Sequence, residues 1–258
     1  VNRSSRSRAA LLPAALATAV ALGGCAYNEA LGRNQLLLVD NAGLAQAGAQ
    51  AWAATLQKTP RSRSAADNER VRRVGQRLVE AAGLQGQRWE YAVFEDPSVN
   101  AFALPGGYIG VNTGLLRLVR NDDQLATVIG HEIAHNLANH AAERYSQTAV
   151  TSVGLQVAGS ALGGGDPNTA RQIASLGGVG AQLGVLLPFS RRHELEADQI
   201  GVDLMARAGY RASAAPELWR LMAARSGGGR TSSFASTHPT EASRIQALEE
   251  HIRARGYR

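Results

Sequence analysis

The run GHEIAHNLANH, residues 130 to 140, holds His131 and His135 four positions apart with Glu132 between them. On a helix, residues at that spacing share one face, about a turn from each other. Two imidazoles so placed can bind one zinc ion, and Glu132 on the same turn stands where a carboxylate can take a proton from a water on the metal. The neighbours Val128-Ile129-Gly130 and Ile133-Ala134 are apolar, which speaks against a solvated polar face. A catalytic zinc site needs three protein ligands and one open position, so a third ligand has to come from elsewhere in the chain.

His140 falls one position short of a pattern that would put Gly at 138 and His at 141, where Ala138 and Ala141 stand. It reads as a helix-surface residue. The run HELEAD offers Glu194 and Asp198, again four apart. Glu194 can ligate a metal. Asp198 can accept the second ring N–H of a metal-bound histidine, fixing its tautomer and raising its basicity. The other reading is that both only pair with Arg191, Arg192 or Arg207 on a surface. Glu196 points to a different face, and His193 rotates away from the side of Glu194.

Helices and a small sheet must position these groups. Asn121 can cap a helix with Gln124 three residues on, and Leu125, Val128, Ile129 and Leu137 keep helical spacing through about Ser146. The motif then lies mid-helix. Residues 190 to 210 form a second helix, closed by Gly209. WEYAVFED (89 to 96) alternates as a strand does, and NAFALPGGYIGVNTGLL (100 to 116) reads as two extended pieces around the turn Pro105-Gly106-Gly107. Further helices are expected over 67 to 82, within 35 to 58 after a short strand or turn, over 216 to 225 and over 237 to 256, with His251 facing solvent. Residues 148 to 162 and 173 to 189 are apolar but shorter than the roughly 20 residues of a helical membrane span. They read as a packed or interfacial hairpin. SGGGRTSS (226 to 233) reads as a flexible loop. The pattern is α+β.

The chain has 258 residues, and its 45% hydrophobic fraction permits a sizeable core. Arg3, Arg6 and Arg8 supply three of the six net positive charges, and no basic run is interleaved with aromatics, so a nucleic-acid partner is not expected. Cys25 is the one cysteine, which rules out an intrachain disulfide. Before it come a positive stretch, VNRSSRSR, an apolar stretch, AALLPAALATAVAL, and LGGC, the layout of a secretory signal.

The set HEIAH, then ELEAD about sixty residues on, then THP near the end, with NAFALPGGYIGVNTGLL ahead of it, resembles the zinc metallopeptidase family of HtpX, the CAAX prenyl proteases and bacterial lipoprotein peptidases. The likeness covers roughly residues 35 to 258, fits the soluble lipoprotein branch best, and departs from HtpX in lacking membrane-spanning helices. It implies a mostly helical gluzincin-type domain whose small sheet has an edge strand before the H-E-x-x-H helix. It also implies one Zn²⁺ per chain on His131, His135 and Glu194, with Glu132 as general base. The edge strand, either Ala101, Phe102, Ala103 and Leu104 or Ile109 to Asn112, would receive a substrate peptide by backbone pairing. His238, held by Pro239, would either stabilise the oxyanion of amide hydrolysis or cap the zinc at rest. Arg244, expected beside the ligands with Asp198, is a second oxyanion candidate.

Leu22-Gly23-Gly24-Cys25 resembles a lipobox, with Cys25 lipidated and Ala26 favouring the outer membrane, facing the periplasm. The implied organisation is a removed signal at 1–24, a tether and helical extension at 25–65, and a zinc metallopeptidase domain at 66–258. The expected function is a lipid-anchored endopeptidase of the bacterial cell envelope acting on unfolded, misfolded or damaged envelope proteins. The alternative is an envelope chaperone or assembly factor with a latent zinc site.

Overall fold

The computed structural model describes residues 25–161, 189–226, 233–238 and 242–258. The expected signal segment, Pro239 and most of both the 148–189 hairpin and the 226–233 loop lie outside these. Among the described residues the fold is a small mixed sheet embraced by helices, as the α+β reading anticipates, and no helix is long and apolar enough to cross a membrane.

Strands β1 (Cys25–Asn28) and β2 (Arg33–Leu36) form an antiparallel hairpin. The longer sheet runs β3 (Glu90–Phe94), β5 (Tyr108–Asn112), β4 (Ala101–Leu104) in spatial order. β3 pairs with β5 in parallel, β4 with β5 antiparallel, so β4 is an edge strand and β5 is central. The turn between β4 and β5 needs Gly106 at φ 93° and Gly107 at φ 87°, backbone that glycine adopts without a Cβ penalty.

Helix α1 (Asn41–Lys58) starts at Asp40, whose carboxylate accepts the Gly43 N–H. α1 lies under the edge strand: Trp52 packs with Phe94, Leu104 and Phe102 in a satellite cluster that fixes β4 from below. α2 (Ala65–Ala81) follows the cap Ser64 and starts two residues before the expected Asp67, and it buries Val71, Val74 and Leu78 against the sheet and the motif helix. A short helix, α3 (Thr113–Leu118), leads from β5 to the motif helix.

That helix, α4 (Asp122–Leu137), is capped as its sequence implies. Asn121 Oδ1 accepts the Gln124 N–H at 2.9 Å, and Gln124 Oε1 accepts the Arg120 N–H at 2.9 Å. It is buried without interruption from Gln124 to His135, so it runs through the centre of the core. It does not continue to Ser146. Asn139 takes φ 49°, a left-handed conformation that asparagine tolerates, and a new helix, α5 (His140–Ala161), starts at once. The motif therefore sits in the last half of its helix, and the chain turns back beside it.

α6 (Arg191–Arg207) carries the second motif and is capped by Ser190, whose Oγ accepts the His193 N–H at 3.2 Å. It crosses α4 where Gly130 meets Gly201 backbone to backbone. α7 (Ala214–Ser226), α8 (Ser233–Thr237) and α9 (Ala242–Arg255) close the far side. The expected helix over 237 to 256 is thus shorter, and His238 stands between α8 and α9. His251 does not face solvent: its Nε2 is 2.8 Å from Asp203 Oδ1 and its side chain is 14% exposed.

Candidate metal centre

α4 presents His131 and His135 on one face, as their spacing predicts, and α6 brings Glu194 opposite them. His131 Nε2 and His135 Nε2 are 3.1 Å apart. Glu194 reaches both, Oε2 at 3.4 Å from His131 Nε2 and Oε1 at 3.4 Å from His135 Nε2. His238 completes the group, with Nδ1 2.9 Å from Glu194 Oε1 and 3.3 Å from His131 Nε2. One ligand atom from each of these four buried side chains lies within 4.8 Å of the others.

Two imidazoles, a carboxylate and a third imidazole with nitrogens and oxygen converging on one point match what zinc takes from proteins. Such close packing of donors, with few protons to share between them, is a poor hydrogen-bonding arrangement and a good ligand set. Glu132 Oε1, buried beside them, has no hydrogen-bond partner among the described residues, and His238 Nε2 lies 3.4 Å from it. The donor chemistry fits a single zinc ion.

The groups behind the centre hold it in shape. Asp198 Oδ1 is 3.0 Å from His131 Nδ1 and accepts the Trp219 indole N–H at 3.1 Å. Arg244 donates through Nε and Nη2 to the two Asp198 oxygens, and its Nη1 lies 2.6 Å from Glu194 Oε2. Arg244 is 3% exposed, so its charge is balanced by those two carboxylates rather than by water. The same charges set the protonation states. Burial opposes charge on His131, yet Glu194 and Asp198 outweigh it and hold its pKa at about 9. Burial and the neighbouring imidazoles push His135 well below its usual value despite Glu194. Burial works against ionised Glu194 as well, but His238 and His131 keep it well below the usual carboxylate range. Glu132 is raised, chiefly by burial.

Glu132 also touches the edge strand. Its Oε2 accepts the Ala103 N–H at 3.0 Å, so that N–H points into the cleft rather than at β5. The cleft between β4 and the centre is lined by Ala101, Phe102, Ala103, Glu132, Phe189 and His238. Past Pro105 and Asn136 it continues into a groove of about 370 Å³ lined by Leu44, Leu84, Trp89 and Leu137, with no Asp, Glu, Lys or Arg on its walls.

The structure thus brings together His131, Glu132, His135, Glu194, Asp198, His238, Arg244 and the strand Ala101–Leu104. Cys25 stands apart from them, exposed at the start of β1. Sequence reasoning placed His140 on a helix surface, but it is fully buried, with Nδ1 2.9 Å from His135 Nδ1. Its signal was Asn139, a residue suited to ending a helix in a left-handed turn.

The family model Peptidase family M48 matches residues 65–252 of the chain. The chain is 40% identical over 183 residues to the mitochondrial metalloendopeptidase OMA1 of Schizosaccharomyces pombe, covering 70% of this chain and 52% of that protein. It is 34% identical over 177 residues to the OMA1 protein of Saccharomyces cerevisiae, covering 66% and 48%. The metalloprotease LoiP of Escherichia coli is 32% identical over 173 residues, covering 67% of this chain and 66% of that protein. The chain therefore spans about half the length of the two yeast proteins.

Proposed function

The chain belongs to peptidase family M48, and from that premise we propose that it is a zinc-dependent endopeptidase whose centre is built from His131, His135 and Glu194. The observation that carries this reading is the convergence of those donors with His238 inside 4.8 Å, next to a buried glutamate. When bound, zinc supplies a Lewis acid that polarises a carbonyl and lowers the pKa of a coordinated water towards about 7.

The chain's own groups do the rest. Asp198 accepts from His131 Nδ1–H, so the Nε2 proton is the one a metal would displace and Nε2 the nitrogen that would ligate. Glu132 is the general base. It accepts a proton from the attacking water and delivers it to the leaving amine, a role suited to a buried carboxyl with a raised pKa. The β4 edge, which faces the cleft and whose Ala103 N–H is held by Glu132, is suited to adding an extended peptide as a further strand through its remaining backbone groups, which gives affinity from the backbone and little sequence selection. The groove beyond it bears no Asp, Glu, Lys or Arg and mixes Leu44, Leu84, Trp89 and Leu137 with Gln87, Asn136 and Asn139, so it suits uncharged side chains of an unfolded stretch. Misfolded or damaged proteins of the bacterial cell envelope are the substrate class we assign. The signal-like N-terminus and exposed Cys25 support a lipid-anchored placement, at the outer membrane facing the periplasm.

His238 touches both Glu194 and Glu132, and this contact supports its reading as a fourth donor that closes the centre at rest. His238→Ala is expected to keep zinc and to cleave an unfolded protein faster than the parent. Slower cleavage with zinc retained would assign His238 to oxyanion stabilisation instead.

The experiment uses residues 26 to 258 without lipid, assayed for zinc content and for cleavage of an unfolded protein. The parent is expected to hold about one zinc per chain and to cleave. Glu132→Gln should keep the zinc and lose about 10²–10⁴-fold in rate, the range of a general base. Glu194→Ala should lose zinc. A parent that holds zinc yet cleaves nothing would favour the chaperone or assembly-factor reading.

A further inference from the structure

Behind His135, on the side away from the proposed zinc, lies a second cluster of charged and imidazole groups that the mechanism above does not use. His135 Nδ1 faces His140 Nδ1 at 2.9 Å. The other nitrogen of His140, Nε2, is 3.1 Å from Glu196 Oε2. Glu196 is gripped by Arg33, which donates Nε to Oε1 and Nη2 to Oε2, both at 2.7 Å. The same guanidinium donates Nη1 and Nη2 to Glu143 at 2.7 and 2.8 Å. Arg33 opens strand β2, eight residues after Cys25. The rest of that hairpin fastens to the helix break beside His140: Gln35 donates to Ala138 O at 2.7 Å and to Glu143 Oε2 at 2.6 Å, and Asn28 to Leu137 O at 3.2 Å.

The directions of these hydrogen bonds follow from chemistry. Glu196, held in a fork by Arg33, is ionised and can only accept. His140 must therefore donate to it from Nε2. A neutral His140 then has a lone pair at Nδ1, and the donor facing it must be His135 Nδ1–H. That leaves the lone pair of His135 on Nε2, the nitrogen that points at His131, Glu194 and His238. The opposite assignment would put the His135 proton on Nε2 and remove a ligand.

We propose that His140 is a positioning residue that fixes the ligating tautomer of His135, and that Arg33, from the hairpin beside Cys25, holds His140 in that role through Glu196. The proposal rests on the zinc reading of the centre. His131 and His135 then have different supports, an aspartate braced by Arg244 and Trp219 for the first and a histidine–glutamate–arginine chain for the second. The segment that would carry the lipid becomes part of the support of the metal centre rather than a passive leash.

The test uses the chain from residue 26, with zinc alone as the probe. Long-range ¹⁵N NMR of the histidine rings in the zinc-loaded parent should show His135 protonated on Nδ1 and His140 on Nε2. Zinc affinity by competition with a chelating dye should fall about 10–100-fold in His140→Ala, the usual effect of removing such a support. His140→Asn, whose amide oxygen stands where Nδ1 stood, should recover most of it. Arg33→Ala should lose affinity in the same direction but by less. A His135 protonated on Nε2, or His140→Ala binding zinc as tightly as the parent, would overturn the proposal. If His140→Ala does not fold, the ring spectra of the parent decide alone. A parent that takes up no zinc would overturn the zinc reading and this proposal together. Zinc lost in Glu194→Ala but held undiminished in His140→Ala would overturn this proposal only.

Discussion

Asp198 gathers three donors, His131, Trp219 and Arg244, around one buried carboxylate. Burial disfavours its charge, yet Arg244 and His131 keep it below its ordinary pKa. Hydrogen bonds to an ionised acceptor contribute about 1.5–3 kcal/mol each. Trp219→Phe removes the indole N–H and leaves a small cavity where the larger ring packed against Phe234. It is expected to cost about 1.5–3 kcal/mol, and thermal melts should show a clear fall in Tm. An unchanged Tm would mean that Arg244 and His131 satisfy Asp198 without the indole. At this scale much was legible. His131, His135, Glu194 and Asp198 come in two pairs at helical spacing, and the spacing alone puts each pair on one face. His140 was not, because its place depends on one left-handed residue, Asn139, that periodicity does not register.

At the scale of elements, α4 and α6 must approach closely for Glu194 to reach both histidines, and two glycines allow it. A Cβ on Gly201 would stand 3.0 Å from His131 N and 3.1 Å from Gly130 C, backbone that cannot swing aside. Gly201→Ala is therefore expected to force the helices apart, to cost about 1–3 kcal/mol as overpacking does, and to weaken zinc binding as well. Denaturant melts of the metal-free chain read the first effect and chelator competition the second. Loss of stability with unchanged zinc affinity would show that the centre tolerates a shift of α6. The helices around the site and the Asn121 cap were readable because the cap residue and the apolar spacing are local signals, whereas the Ser64 and Ser190 caps were not read. The parallel pairing of β3 with β5 and the docking of the β1–β2 hairpin on α5 were not, because they join residues far apart in sequence.

At the scale of the molecule, two clusters among the described residues draw distant segments together: the candidate metal centre, which joins α4, α6 and the segment after α8, and Arg33, which joins the N-terminal hairpin to α5 and α6. If zinc binds only the assembled centre, excess chelator should remove about 2.7 kcal/mol of stability from a chain loaded at a hundred times its dissociation constant, read as a fall in Tm. The Arg33 clamp has its own pH signature. Burial disfavours ionised Glu143, but Arg33 and Gln35 hold its pKa below the ordinary value. Its contribution is fully present above the unfolded carboxylate pKa of about 4.3 and is lost as pH falls through the lower folded value. Arg33→Met should therefore destabilise the chain at pH 7, and the gap from the parent should narrow in urea melts as pH drops below about 4. A gap independent of pH would mean that Arg33 acts by packing alone.

The proposed function requires His131, His135 and Glu194 to hold one catalytic zinc. Anomalous diffraction at the zinc edge, on crystals of the zinc-loaded chain, addresses it most directly. One strong peak per chain is expected, about 2.0–2.2 Å from His131 Nε2, His135 Nε2 and a Glu194 oxygen. A peak at other residues, or a fully loaded chain with no peak between α4 and α6, would contradict it.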